Sequence, residues 1–274
     1  MLRSLLFASL GVFLTAVPVQ AQEPSDEPAY LDETLPTEQR VDDLLSRMTL
    51  EEKIGQMLSI HQEKSTFTNE NGEFDPENPT RWFEVGIGRI ERPNEGHTAR
   101  EEAEYTNAIQ RWVQDNTRLG IPVLFHEEGL HGVQAQQSTS FPIPLAMASS
   151  WNPALVEDAY EVVAKDIRAR GAQQALTPVV DVAREPRWGR IEETFGEDPY
   201  LTSRLSVASV NGLQGDATFD EKEHVIATLK HMTGHGQPQS GTNIGPATFS
   251  ERTLREIFYP PFEAAIKEAG ALSV

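Results

Sequence analysis

The feature that most constrains this chain is a repeated exchange between short apolar runs and amphipathic stretches of helical period. Val85 to Ile90 reads as a strand and precedes a helix over 98–118. Ile121 to Phe125 is the next strand, followed by a helix that opens at Asn152-Pro153, an N-cap with proline in the first turn. Val156, Ala159, Tyr160, Val163 and Ile167 then recur at helical spacing until Gly171 stops them. Ala172 to Val182 is the third strand, with a helix over 200–213, and Val225 to Leu229 is the fourth. Ser250 caps a last helix that continues through Lys267, disturbed at Pro260-Pro261, and Ala271 to Val274 begins a fifth strand. Such βα units build either an open doubly wound sheet or a (β/α)8 barrel. No G-x-G-x-x-G follows the first strand, which weighs against the dinucleotide-binding version. The polar clusters fall just after strand C-termini, where barrels keep their sites. The pattern thus gives an α/β fold and leans towards the barrel, with Val85 to Ile90 as one edge.

Upstream, Arg3, the apolar run Leu5 to Val17 and Val19-Gln20-Ala21 form a cleavable signal peptide over residues 1–21, implying export to the periplasm or beyond. Residues 22–35 are an acidic, proline-containing leader expected to be flexible, and residues 36–274 the barrel domain. A helix is expected over Pro36 to Met48. Thr49 with Glu52 then makes a capping box ahead of Ile54, Met57 and Leu58. The turn-rich stretch His61 to Trp82 reads as a loop or small excursion. The chain has no cysteine, so neither a disulfide nor a lipid-anchored cysteine is available to it. A net charge of −19 offers no basic stripe for phosphates, so no nucleic-acid partner is expected, and no membrane contact once the signal is cleaved.

Three clusters carry candidate chemistry. After the third strand, Asp181, Arg184, Glu185, Arg187, Arg190, Glu192, Glu193, Glu197 and Asp198 surround Trp188. This density of forked arginines and acids is either a site wall or a surface ion-pair network. Trp188 is expected in the core. After the second strand, the run His126-Glu127-Glu128-Gly129-Leu130-His131-Gly132 looks superficially like a zinc motif. Its histidines are five apart and its glycines oppose a helix, so no metal or cofactor is expected. Glu127 is expected to face solvent. After the fourth strand come Lys230-His231. Successive strand residues point to opposite faces, so the two share a pocket only if a bulge or a cis peptide intervenes.

Arg184-Glu185-Pro186-Arg187-Trp188-Gly189-Arg190, with Glu192-Glu193 and Gly196-Glu197-Asp198-Pro199, resembles the signature of glycoside hydrolase family 3. Three further matches stand in the expected order. They are 40–45 with 48–53, then Glu128-Gly129-Leu130-His131-Gly132, then Leu229-Lys230-His231. The resemblance implies an α/β fold of the TIM-type (β/α)8 barrel, incomplete at its C-terminus, in which Glu128, Arg187, Lys230 and His231 bind the hydroxyls of a terminal sugar. Arg190, Glu193 and Asp198 are expected to be ion pairs holding the loop. The loop Thr233 to Gly241 lacks the Asp-Ser-His of the N-acetylhexosaminidase branch, which disfavours that branch.

Retaining glycosidases need two carboxylates about 5–5.5 Å apart. The family supplies its nucleophile Asp from a strand after the Lys-His strand, and its acid/base Glu from further on. The last Asp here is Asp220, so both are expected beyond residue 274 and this chain itself is expected to be inactive. The implied function is a fragment of an exported retaining exo-β-glycosidase acting on terminal β-D-xylosyl or β-D-glucosyl residues of an oligosaccharide or aryl glycoside. Xyloside is favoured because Glu128 is one methylene longer than the Asp of many glucose-specific relatives. A non-catalytic sugar-binding protein on the same domain is the alternative.

Overall fold

The structure is a computed structural model, and it describes residues 28–93, 96–219 and 222–274. The expected signal peptide and residues 22–27 of the leader lie outside the described residues. Contacts divide the chain into two units, with the boundary between Met48 and Thr49. In the first unit a 3-10 turn, Ala29–Leu31, precedes helix α1, Thr37–Arg47. The Tyr30 amide donates to Asp43 at 3.0 Å, and Arg40 Nε donates to the Tyr30 carbonyl at 3.1 Å.

The second unit, Thr49–Val274, alternates strands with helices. Helix α2, Leu50–Gln56, opens on the expected Thr49–Glu52 capping box. Strand β1, Ser59–Ile60, follows it. Helix α3 (Arg81–Glu84), strand β2 (Arg89–Glu91), helix α4 (Ala99–Asn116) and strand β3 (Leu124–Glu127) come next. Helices α5 (Pro144–Ala148) and α6 (Pro153–Ala169) lead to strand β4, Gln174–Ala175. Helix α7 (Pro199–Gln214) and strand β5 (Ile226–Ala227) complete the regular alternation. Beyond them, α8 (Glu251–Thr253) runs through a π turn, Leu254–Phe258, into α9, Tyr259–Ala269. Pro260 and Pro261 donate no amide hydrogen, and the helix is irregular in the turn just before them.

All five strands are parallel and their spatial order is β1-β2-β3-β4-β5, each beside its neighbour in sequence. A doubly wound sheet reverses direction at a switch point, whereas a barrel winds one way, and this sheet winds one way. Ser273 continues the series by bridging Thr228 in parallel, its carbonyl accepting from the Leu229 amide at 3.0 Å. The described residues thus form an open part of a (β/α)8-type barrel.

Three expectations about strands need correction. The edge is β1, not Val85 to Ile90. β1 has only two residues, and the apolar Met57 and Leu58 before it continue the α2 stripe, so nothing in the pattern marks a strand. The third strand is regular only at Gln174–Ala175. Proline has no N–H for the ladder, and the Thr177–Pro178 bond is cis. Hydrogen bonds to the β5 side continue through it, the Thr177 carbonyl accepting from the Thr228 amide at 3.0 Å and the Val180 amide reaching the Lys230 carbonyl at 2.8 Å. The second strand ends at Glu127 rather than Phe125.

The core lies between sheet and helices. In α7, Gly212 lets α6 approach, since a Cβ there would sit 2.3 Å from the Glu157 carbonyl oxygen. The stretch His61 to Trp82 packs its own small core. Phe67, Phe74 and Phe83 meet edge to face with centroids 5.1–6.5 Å apart, and Phe74 and Phe83 also contact Trp112 of α4.

Candidate functional site

The C-terminal ends of β2, β3 and β5 and the loop after β4 converge on one pocket. Its lining includes Arg92, Glu128, His131, Arg190, Glu193 and Lys230, and its volume is about 160 Å³. That is close to the cavity size known to enclose a single six-membered ring, about 150 Å³.

The pocket is built from ion pairs. Lys230 Nζ donates to Glu128 Oε2 at 2.7 Å, joining the ends of β5 and β3. On the other side, Arg92 Nη2 stands 3.5 Å from Glu128 Oε1. Arg92 is held in a left-handed turn at φ 44°, its amide donating to the His126 carbonyl at 2.8 Å. Lys64 Nζ donates to the carbonyls of Glu91 and Arg92 and fixes that turn from outside.

A second chain of bonds crosses the pocket from the loop after β4. Arg190 holds Glu193 through two bonds of 2.7 Å and reaches His231 Nε2 at 3.0 Å. His231 Nδ1 lies 2.8 Å from Oδ2 of the fully buried Asp181. A guanidinium only donates, so His231 Nε2 accepts and its hydrogen sits on Nδ1, directed at Asp181. Burial pushes the Glu193 carboxyl up, but the Arg190 fork outweighs it and holds the group below its ordinary range. The same pair raises Arg190. His235 stacks edge-on against both Trp188 and His231 at 4.9 Å, and burial lowers its pKa.

Glu128, Lys230 and, through Arg190, His231 are therefore brought together. The Lys230–His231 peptide is cis, one of the two irregularities expected there. Arg187 is not brought in, which corrects its placement from sequence. Its side chain is 69% exposed and forked onto Glu185 by bonds of 2.8 Å, which lower Glu185 to about 2. Arg190, three residues later, occupies the pocket instead. Two residues separate Arg187 from Glu185, so that pair closes locally on the outer face of the loop.

Two other placements change. Glu127 is buried, not solvent-facing: it closes β3 inside the pocket that Glu128 also lines. Among the described residues Asp198 forms no ion pair; it caps α7 instead, accepting from the Leu201 amide at 2.7 Å. Trp188 is in the core, its Nε1 donating to Asn243 at 3.1 Å. Sequence reasoning placed Asp181 in the charged cluster after the third strand without giving it a role, and it missed Arg92 as a pocket builder. Asp181 sits directly after the apolar run, where a strand end presents side chains to the barrel mouth, and that position was its only signal.

The described residues thus carry a pocket of paired acids and bases at the strand ends of an open parallel barrel. A model of the glycosyl hydrolase family 3 N-terminal domain matches residues 49–274, and the chain belongs to that family. A β-xylosidase of Formosa agariphila is 46% identical over 58% of this chain and 23% of its own length. A periplasmic β-glucosidase of Salmonella typhimurium is 33% identical over 85% of this chain and 28% of its own. The solved structure of a β-glucosidase from Erythrobacter marinus superposes with a TM-score of 0.79 at 33% identity, covering 92% of this chain and 33% of that one. The chain thus spans about a quarter to a third of the length of these relatives.

Proposed function

We propose that this chain supplies the sugar-binding half of an exported retaining exo-β-glycosidase, and that its pocket takes one terminal sugar with β-xyloside favoured over β-glucoside. The observation that carries the reading is the Glu128–Lys230 pair at 2.7 Å inside a ring-sized cavity. A carboxylate accepts and an ammonium donates, so together they fit the paired hydroxyls of a pyranose. Arg190 adds donors on the opposite wall, and His231 steadies it there by accepting one of its N–H groups. The relatives named as β-xylosidase and β-glucosidase support this chemistry.

Hydrolysis with retention needs a free nucleophile and a second carboxylate beside the anomeric carbon. Glu128, Glu193 and Asp181 are committed to Lys230, Arg190 and His231. They orient the ring and do not attack it. The residues of this chain therefore bind and position, and the covalent step belongs to carboxylates outside this cluster.

The sugar preference rests on Glu128, whose carboxylate reaches one methylene further than an aspartate into the space a C6 hydroxymethyl would occupy. The test is calorimetric titration of the chain with xylose-configured and glucose-configured iminosugars. Tighter binding of the xylose form, with Glu128→Asp moving the ratio towards glucose by about tenfold, supports the assignment. Preference for the glucose form in the unaltered chain removes it. Export rests on residues 1–21. Recovery of the protein from the periplasm with Gln22 as its first residue is the expected outcome, and a cytoplasmic protein retaining Met1 refutes it.

A further inference from the structure

We infer that Arg170, through its pair with Glu102, is a positioning residue that holds the segment from His131 to Phe141 as a wall of the sugar pocket. The inference rests on the function proposed above. Arg170 and Glu102 are each only 1% exposed, and Arg170 Nη1 donates to Glu102 Oε2 at 2.9 Å. Arg170 lies at the end of α6 and Glu102 in the first turn of α4, so the pair joins these two helices.

The rest of the guanidinium reaches the loop after β3. Nη2 donates to the Gln136 carbonyl and to Ser138 Oγ, both at 2.7 Å. Nη1 also contacts the His97 carbonyl at 3.4 Å. Two further ties from α6 run in parallel. Tyr160 donates to the Leu130 carbonyl at 2.7 Å, and Asp166 accepts the Thr139 amide at 2.9 Å. The secured segment contributes His131, Gly132, Gln134 and Ala135 to the pocket, and Glu102 lies at its base.

This geometry is costly to maintain for stability alone. A buried ion pair contributes little net stability against an apolar pair of similar volume, although removing one partner is severe. Among the described residues Glu102 Oε1 and Arg170 Nε find no hydrogen-bond partner, so the pair is not the best-satisfied solution to packing. What an apolar pair does not reproduce is a fork of donors directed at Gln136 and Ser138. The pair holds the wall in place through Arg170, which does not line the pocket, while Glu102 borders it.

The test compares the chain with Arg170→Met and with the double variant Glu102→Leu/Arg170→Met. Each is followed by thermal melting, by hydrogen exchange of the amides between residues 131 and 141, and by titration with the iminosugar isofagomine. The single variant strands Glu102 and is expected to melt well below the parent. The double variant removes both charges and is expected to recover most of that loss. In the double variant, exchange between 131 and 141 is nevertheless expected to accelerate at least tenfold, and isofagomine affinity to fall at least tenfold. Unchanged exchange there, or parental affinity in the recovered double variant, overturns the inference. Failure of the parent chain to bind isofagomine counts against the sugar pocket instead, and the exchange measurement still decides whether Arg170 holds the wall.

Discussion

Acid should weaken this fold through one buried histidine. His126 on β3 is 4% exposed, and its Nε2 lies 3.2 Å from Ser59 Oγ. Burial disfavours its charged form, and Arg89, His61, Arg92 and Lys230 add repulsion, so its pKa falls to about 4. The unfolded chain binds that proton near 6.5, so the unfolded state holds more protons between the two values. Stability from neutral His126 is therefore present above about pH 6.5 and is lost as pH falls towards 4. Between pH 7 and 4.5 the linkage amounts to about 2 kcal/mol, since each unit of difference is worth about 1.4 kcal/mol. The assay is urea unfolding at both pH values for the chain and for His126→Gln. Carboxylate protonation affects the two proteins alike, so their difference isolates this residue. The parent is expected to lose about 2 kcal/mol more than the variant on acidification. Equal losses, or a parent steadied by acid, would refute the reasoning.

Other outcomes follow from the same geometry. Arg187→Ala should change neither stability nor sugar affinity beyond about 0.5 kcal/mol, because an exposed local ion pair contributes little. Arg190→Ala should reduce affinity at least tenfold by releasing both Glu193 and His231, and titration of the two variants separates them. Gly132→Ala should destabilise by roughly 2–4 kcal/mol in urea unfolding. Gly132 has φ 114° and its Cβ would stand 2.2 Å from the Thr139 carbonyl oxygen, which is backbone and cannot swing aside.

Much of this was legible because local chemistry and tertiary context agree. Thr49 and Glu52 announce a capping box and form one, and Asn152-Pro153 starts α6 as expected. The alternation of strands and helices indicates a barrel, and the sheet order agrees. What escaped depends on three-dimensional placement. β1 pairs only through Ser59 and Ile60, too short for any period to register. Arg187 and Arg190 are equivalent in a linear motif. Only the direction of the loop after Val182 decides that one turns to solvent and the other to His231. The register of Lys230 against Glu128 likewise spans 102 residues, which spacing along the chain does not reveal.

The central claim is that the Glu128–Lys230 pair holds a sugar ring without cleaving its glycosidic bond. The most direct measurement is saturation-transfer NMR of the chain with 4-nitrophenyl β-D-xyloside, with nitrophenolate release followed in the same sample. The account predicts transfer to the xylose ring protons, no release of nitrophenolate, and loss of transfer in Lys230→Met while the variant still melts cooperatively. Transfer that persists in Lys230→Met, or release of nitrophenolate by the parent chain, would contradict it.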